Sequence, residues 1–151
     1  MSGVLGRLAA AGLHLPEPPA PLGAYVPARA AGGLLFLSGM LPLRDGVLMA
    51  AGRPGQAPDL ERASDAAAQA ALNALAVAHA HTGLDAVADV VRLAVHIACP
   101  PEFAGHAAIA DGASRVFDVA FAPARHSRLA FGASSLPAGA PLELEVVMAL
   151  R

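Results

Sequence analysis

Between Ser127 and Leu150 the chain alternates apolar and polar positions in two separate runs, and no other stretch limits the possible folds so strongly. In Ser127 to Ser134, Leu129, Phe131 and Ala133 fall on one side, with Arg128, Ala130 and Gly132 on the other. In Leu142 to Leu150, Leu142, Leu144, Val146, Met148 and Leu150 oppose Glu143, Glu145, Val147 and Ala149. Successive side chains of a strand point to opposite faces, so the pattern predicts two strands, joined by a Pro/Gly loop, that each bury one side. If both apolar sides pack on one layer of helices, Arg128, Glu143 and Glu145 share the uncovered face. Two readings follow. Arg128 is either a structural partner of Glu143 or Glu145, or its fork grips an organic acid while a nearby carboxylate acts as base for water.

The rest of the chain supplies the helices that such strands need. Ser2 to Gly12 has apolar residues at helical spacing, and Gly12 is a natural stop. Pro16, Pro18, Pro19 and Pro21 force an extended arm over Leu15 to Pro21. Tyr25–Ala30, Leu34–Ser38 and Gly46–Ala50 are strand candidates, with Arg44-Asp-Gly46 as a hairpin turn and Gly52–Pro58 as a loop. Asp59 offers an N-cap to a helix over Leu60–Thr82 that ends at Gly83, with a stripe of Ala68, Ala71, Leu72, Leu75 and Ala78. His79 and His81 point apart on that helix and cannot share a metal. Ala88–Cys99 is a strand with Val91, Leu93, Val95 and Ile97 on one face and Val90, Arg92, Ala94 and His96 on the other. A second helix spans Glu102–Phe121. The order β-β-β-α-β-α-β-β predicts a single α+β domain over residues 1–151, a ferredoxin-like sandwich with two helices on one sheet face and residues 1–24 as an N-terminal helix and arm.

Composition narrows the function classes. The net charge of −2 gives no global attraction to phosphate backbones, and basic clusters interleaved with aromatics are lacking, so no nucleic-acid partner is expected. One cysteine, Cys99, leaves no internal disulfide. No apolar run is long enough for a membrane span and no signal peptide is read, so the expectation is a cytoplasmic protein without a membrane partner. Charged residues make up 15% of the chain, below the usual share of about 25%, which suits a surface partly covered by other copies.

Arg128 is followed eight residues on by Leu136-Pro137 and then by Glu143 and Glu145. With Pro21-Leu-Gly-Ala-Tyr25 and Leu35-Phe-Leu-Ser-Gly39 upstream, this ordered set resembles the RidA family, also called YjgF, whose members are enamine/imine deaminases. The resemblance implies the chorismate-mutase-like version of the sandwich, assembled as a homotrimer with sites between subunits. It implies that Arg128 binds the carboxylate of a small 2-imino or 2-enamino acid and that Glu143 orients or deprotonates the attacking water. Tyr25 would stand at the edge of the site, with backbone groups of Ser38, Gly39 and Ala130 lining it. The products would be a 2-keto acid and ammonia, with no cofactor or metal. The chain departs from the family pattern at Asp111, where many active members have asparagine, at Ala130 in place of a cysteine, and at Met40 in place of a glutamine. Asp111 would bring a second anion to the pocket. Glu145 is expected to serve structure or the subunit interface. The arm and His126-Ser-Arg128 resemble the branch named for endoribonuclease or translation-inhibitor activity, in which His126 would be a candidate base. A trimer that binds small carboxylates without turning them over is the alternative, and RNA cleavage ranks third.

Overall fold

The computed structural model describes residues 3–151; Ser2, which the first helix was expected to include, lies outside them. In chain order the elements are α1 (Val4–Ala10), β1 (Ala28–Ala31), β2 (Leu34–Leu37), β3 (Leu43–Arg44), β4 (Val47–Leu48), α2 (Leu60–Thr82), β5 (Val87–Ala98), α3 (His106–Phe121), β6 (Ser127–Ala133) and β7 (Leu142–Leu150). Five strands form one mixed sheet in the order β1-β2-β7-β5-β6, in which β5 and β6 run parallel and the other neighbours antiparallel. The third expected strand is instead half of a separate β3–β4 hairpin. Its turn at Asp45 and Gly46 has φ of 52° and 77°, the pair of positive values that a two-residue hairpin turn demands.

α2 and α3 cover one face of the sheet. Leu142, Leu144, Val146 and Met148 on β7 and Leu93, Val95 and Ile97 on β5 are fully buried beneath them. The expected face assignment of β5 fails at its first half. Register shifts at Val87/Asp89 and Val90/Arg92 insert extra residues, so Val90 is buried while Val91 is 41% exposed. A bulge opposes two residues to one, and alternation counted through it comes out inverted. Across the sheet, the uncovered face carries Phe36, Leu129 and Phe131 among its exposed residues, together with Arg92, His96 and Glu145.

Helix boundaries follow local chemistry. The Asp59 side chain accepts a hydrogen bond from the Arg62 amide at 2.9 Å, and Gly83 ends α2 at φ 76°. α3 starts at His106 rather than Glu102. Gly105 takes the N-cap position, and Pro100 and Pro101 precede it outside the helix. α2 and α3 approach so closely that a Cβ at Gly112 would run into the Ser64 carbonyl. Among the described residues no helix is long and apolar enough to cross a membrane.

A buried polar chain joins α2 to the loop before the hairpin. Asn73, 1% exposed, donates through Nδ2 to the carbonyls of Leu41 and Leu43, both at 2.9 Å. Gln69 donates to Asn73 Oδ1 at 3.1 Å and accepts from Arg44 Nε at 3.1 Å. Leaving those carbonyls unpaired would cost about 1–3 kcal/mol each, so the loop over Leu41 and Leu43 is held in place.

The helix contact gives a test. Gly112→Ala would gain up to about 1 kcal/mol of helix propensity but must force backbone from backbone, at roughly 1–3 kcal/mol. The net expectation is a lowered melting temperature in thermal denaturation. A variant as stable as the parent would show that the two helices can separate freely.

Candidate active site

Two clusters of chemistry-bearing side chains lie in different places on the protomer. The first is a groove of about 490 Å³ whose walls include Tyr25, Ser38, Gly39, Met40, Pro137 and Glu143. Its floor is set by backbone pairing. Met40 and Leu144 exchange amide-to-carbonyl hydrogen bonds at 2.8 and 2.9 Å, which lays Gly39 directly over Glu143. A Cβ at Gly39 would collide with the Glu143 carboxylate, so glycine is what lets that carboxylate sit there. Ser38 is anchored twice, its amide donating to Pro27 O at 2.9 Å and its hydroxyl to Val26 O at 2.7 Å. The Tyr25 hydroxyl accepts from the Leu22 amide at 3.1 Å, stiffening the proline arm that forms the outer wall. Glu143 is half-buried and, among the described residues, has no hydrogen-bond or ion-pair partner.

The second cluster occupies a polar cavity of about 420 Å³ between α3 and the start of β6. Arg128 Nη1 donates to Asp111 Oδ1 at 2.6 Å and to Ser114 Oγ at 3.2 Å. Its Nε and Nη2 have no partner among the described residues, so one full edge of the guanidinium remains open. Ser114 Oγ lies 2.8 Å from His126 Nε2. Burial lowers the pKa of His126 from its ordinary value of 6.5; Asp118 pulls it back up, while Arg128 and Arg125 push it further down.

The expectation that Arg128, Glu143 and Glu145 share a face is wrong. β5 separates β6 from β7, which puts their backbones roughly 10 Å apart. Arg128 pairs in register with the buried Leu93 and points to the helix side, whereas Leu129 and Phe131 take the uncovered side. An edge strand can turn its apolar residues away from the helices when the helix layer above it is polar, as Asp111 and Ser114 make it here. Arg128 therefore pairs with neither glutamate. Glu145 instead contacts Arg92 at 3.1 Å and His96 at 3.5 Å. Ala130 packs against the core and lines neither cavity. Tyr25, Ser38, Gly39 and Glu143 are brought together as expected, and Asp111 joins Arg128 in the other cluster. Ser114 was not among the expected site residues; its spacing of three from Asp111, on one helix face, was the available signal.

Cys99 lies 3.6 Å from His106 Nε2, and burial, then Glu102, raises its thiol pKa. Among the described residues no group of three or more His, Cys, Asp or Glu side chains is arranged to hold a metal ion.

Comparison with known proteins places this architecture. A family model described as "YjgF/chorismate mutase-like, putative endoribonuclease" matches residues 5–148. Protein TCP17 of Trypanosoma cruzi is 34% identical over 153 residues, covering 97% of this chain and 96% of that protein. A crystal structure described as a "putative endoribonuclease" from Shewanella oneidensis superposes with a TM-score of 0.91 at 30% identity, covering 99% of this chain and all of that one (100%). The crystal structure of RidA from Psychrobacter sp. shares the fold, with a TM-score of 0.59 at 24% identity, over 89% of this chain and 94% of that one.

Two measurements check this geometry. In Gly39→Ala the new methyl meets only the mobile end of a side chain. A crystal structure should show the fold intact and the Glu143 carboxylate displaced; an unmoved carboxylate would mean the contact is slack. For His126, an NMR titration should give a midpoint below 6.5, moving lower still in Asp118→Asn. The sign for stability follows from the unfolded chain taking up this proton first. Stability should therefore fall as pH drops from 6.5 toward the lowered folded value, and the fall should be missing in His126→Gln.

Proposed function

As the chain belongs to the YjgF/chorismate mutase-like family, we propose that it hydrolyses small 2-imino or 2-enamino acids to 2-keto acids and ammonia, in clefts between the copies of a homotrimer. The observation that supports this reading is the open Nε/Nη2 edge of Arg128, matched by an unpartnered Glu143 on the opposite face of the same sheet. Each is half of a site. Association through the uncovered sheet face, with its exposed Phe36, Leu129 and Phe131, would bring Arg128 of one copy against the Glu143 groove of the next.

In such a cleft Arg128 holds the substrate carboxylate in a two-point, charge-assisted contact. Asp111 does not compete for that edge, because it is bound to Nη1. It does lower the local positive charge, so the site suits a substrate that also carries a protonated imine nitrogen. Glu143 accepts a proton from water as the water adds to the imine carbon. Ser38 and Gly39 supply a floor fixed by backbone hydrogen bonds, and Tyr25 closes the edge. Holding the carbon and the water at fixed separation is itself a large part of the acceleration.

The test is release of ammonia and keto acid from an enzymatically generated 2-aminoacrylate. Arg128→Ala should lower kcat/KM by roughly 10²-fold or more, through loss of the charged contact. Glu143→Gln should lower kcat by about 10²-fold with less change in KM. Ammonia formation no faster than in buffer, with a keto acid still bound, would make the protein a carboxylate binder instead. RNA cleavage is the weakest reading at a net charge of −2, and cleavage that survives loss of both Arg128 and His126 would point to a contaminant.

A further inference from the structure

We propose that the groove holding Glu143 is a side-chain subsite that selects imines with a branched or aromatic apolar side chain, and that Leu22 on the arm determines this specificity. The inference rests on the deaminase reading above. The reacting carbon of a 2-imino acid is planar and carries three substituents: the carboxylate, the imine nitrogen and the side chain. With the carboxylate directed at Arg128 of one copy, the other two point back toward the copy that supplies Glu143. The lining of the Glu143 groove then decides which side chains are accepted.

That lining is apolar over most of its extent. Pro19, Pro21, Leu22, Leu41, Leu43 and Pro137 form its walls, and among the described residues no lysine, arginine or histidine of the protomer joins them. The polar side chains are those of Tyr25, Ser38 and Glu143. Ser38 gives its one hydroxyl proton to the Val26 carbonyl at 2.7 Å, so it has none left to offer a ligand. A substrate side chain ending in a carboxylate would therefore meet the Glu143 carboxylate with no cation in the groove to offset it. One ending in an ammonium would pair with Glu143 and remove the base. Desolvating either charge adds a further cost. An apolar side chain meets neither penalty and gains by leaving water. The volume of about 490 Å³ exceeds what a methyl group needs and falls within the usual range for ligand pockets, roughly 300–1,000 Å³.

Both walls are fixed before a ligand arrives. On the inner side Asn73 holds the carbonyls of Leu41 and Leu43, each at 2.9 Å. On the outer side the prolines stiffen the arm, and Tyr25 binds the Leu22 amide through its hydroxyl at 3.1 Å and the Gly23 carbonyl through its own amide at 3.0 Å. Walls already in place lose little freedom on binding, so their contacts go into affinity. Leu22 is 64% exposed in the protomer. A single exposed leucine is ordinary; this one stands on a pinned backbone at the mouth of the groove. Its exposure also means that it can be replaced without disturbing the core.

The experiment generates the imines of leucine, phenylalanine, alanine and glutamate with amino-acid oxidases of matching specificity and follows their hydrolysis by the parent, Leu22→Ser and Leu22→Arg. Binding of the corresponding keto acids is measured by calorimetry, and thermal unfolding is recorded for each protein. The parent should hydrolyse the leucine and phenylalanine imines with kcat/KM roughly 10-fold or more above that for the alanine imine, and the glutamate imine most slowly. Leu22→Ser should shrink the leucine-to-alanine ratio. Leu22→Arg should raise hydrolysis of the glutamate imine while lowering that of the leucine imine, and both variants should melt where the parent does. A parent that turns over the alanine or glutamate imine as well as the leucine imine would overturn the subsite and leave the deaminase standing. So would ratios unmoved in both variants. If no imine is hydrolysed faster than in buffer, the deaminase reading falls; keto acids that then bind in any order but the leucine and phenylalanine types first overturn the subsite too.

Discussion

The antiparallel pairing of Val87–Ala98 with Leu142–Leu150 is the constraint from which the rest of the protomer follows. These strands lie beside each other in the interior of the sheet, and the helix-facing residues of their paired stretch are sealed from water. Because side chains alternate along a strand, driving Leu142, Leu144, Val146 and Met148 under the helices leaves Glu143 and Glu145 on the other side. The glutamates are thus placed by the leucines around them. Met40 then pairs with Leu144, and that single bridge sets Gly39 above Glu143.

The same pairing keeps Arg128 away from Glu143. With β5 filling the place beside β7, β6 is left as the far edge, where its arginine can meet only α3. A protomer built this way holds a cation-bearing cavity and a carboxylate-bearing groove that do not meet. Each has an open valence of its own kind: one free edge of a guanidinium and one carboxylate without a partner.

Much of this could be read from the residues, and the failures have physical causes. Asp59 and Gly83 bounded α2 correctly because cap and stop are local events, settled by side chains within a few residues. The alternation of β7 likewise marked its buried face. What local pattern cannot supply is which strand lies beside which, and the face of Arg128 was misjudged for that reason. The bulge near Val90 was invisible because an inserted residue leaves no mark in composition. Asn73 drew no notice in an alanine-rich helix, although its amide fixes the backbone of Leu41 and Leu43. Of the candidate site, the Tyr25, Ser38, Gly39 and Glu143 cluster was legible, and Ser114 was not.

The first helix and the arm after it reach both halves of the molecule. Arg7 clamps the carbonyl of Ala120 at the end of α3 through Nε at 3.0 Å and Nη2 at 2.6 Å, just before the chain turns toward His126 and Arg128. Eighteen residues further on, Tyr25 and its neighbours wall the groove that holds Glu143. This leading segment therefore ties the end of α3 to the wall of the groove rather than trailing from the domain. Shortening or loosening it would be felt on both faces of the sheet at once, by residues that share no direct contact.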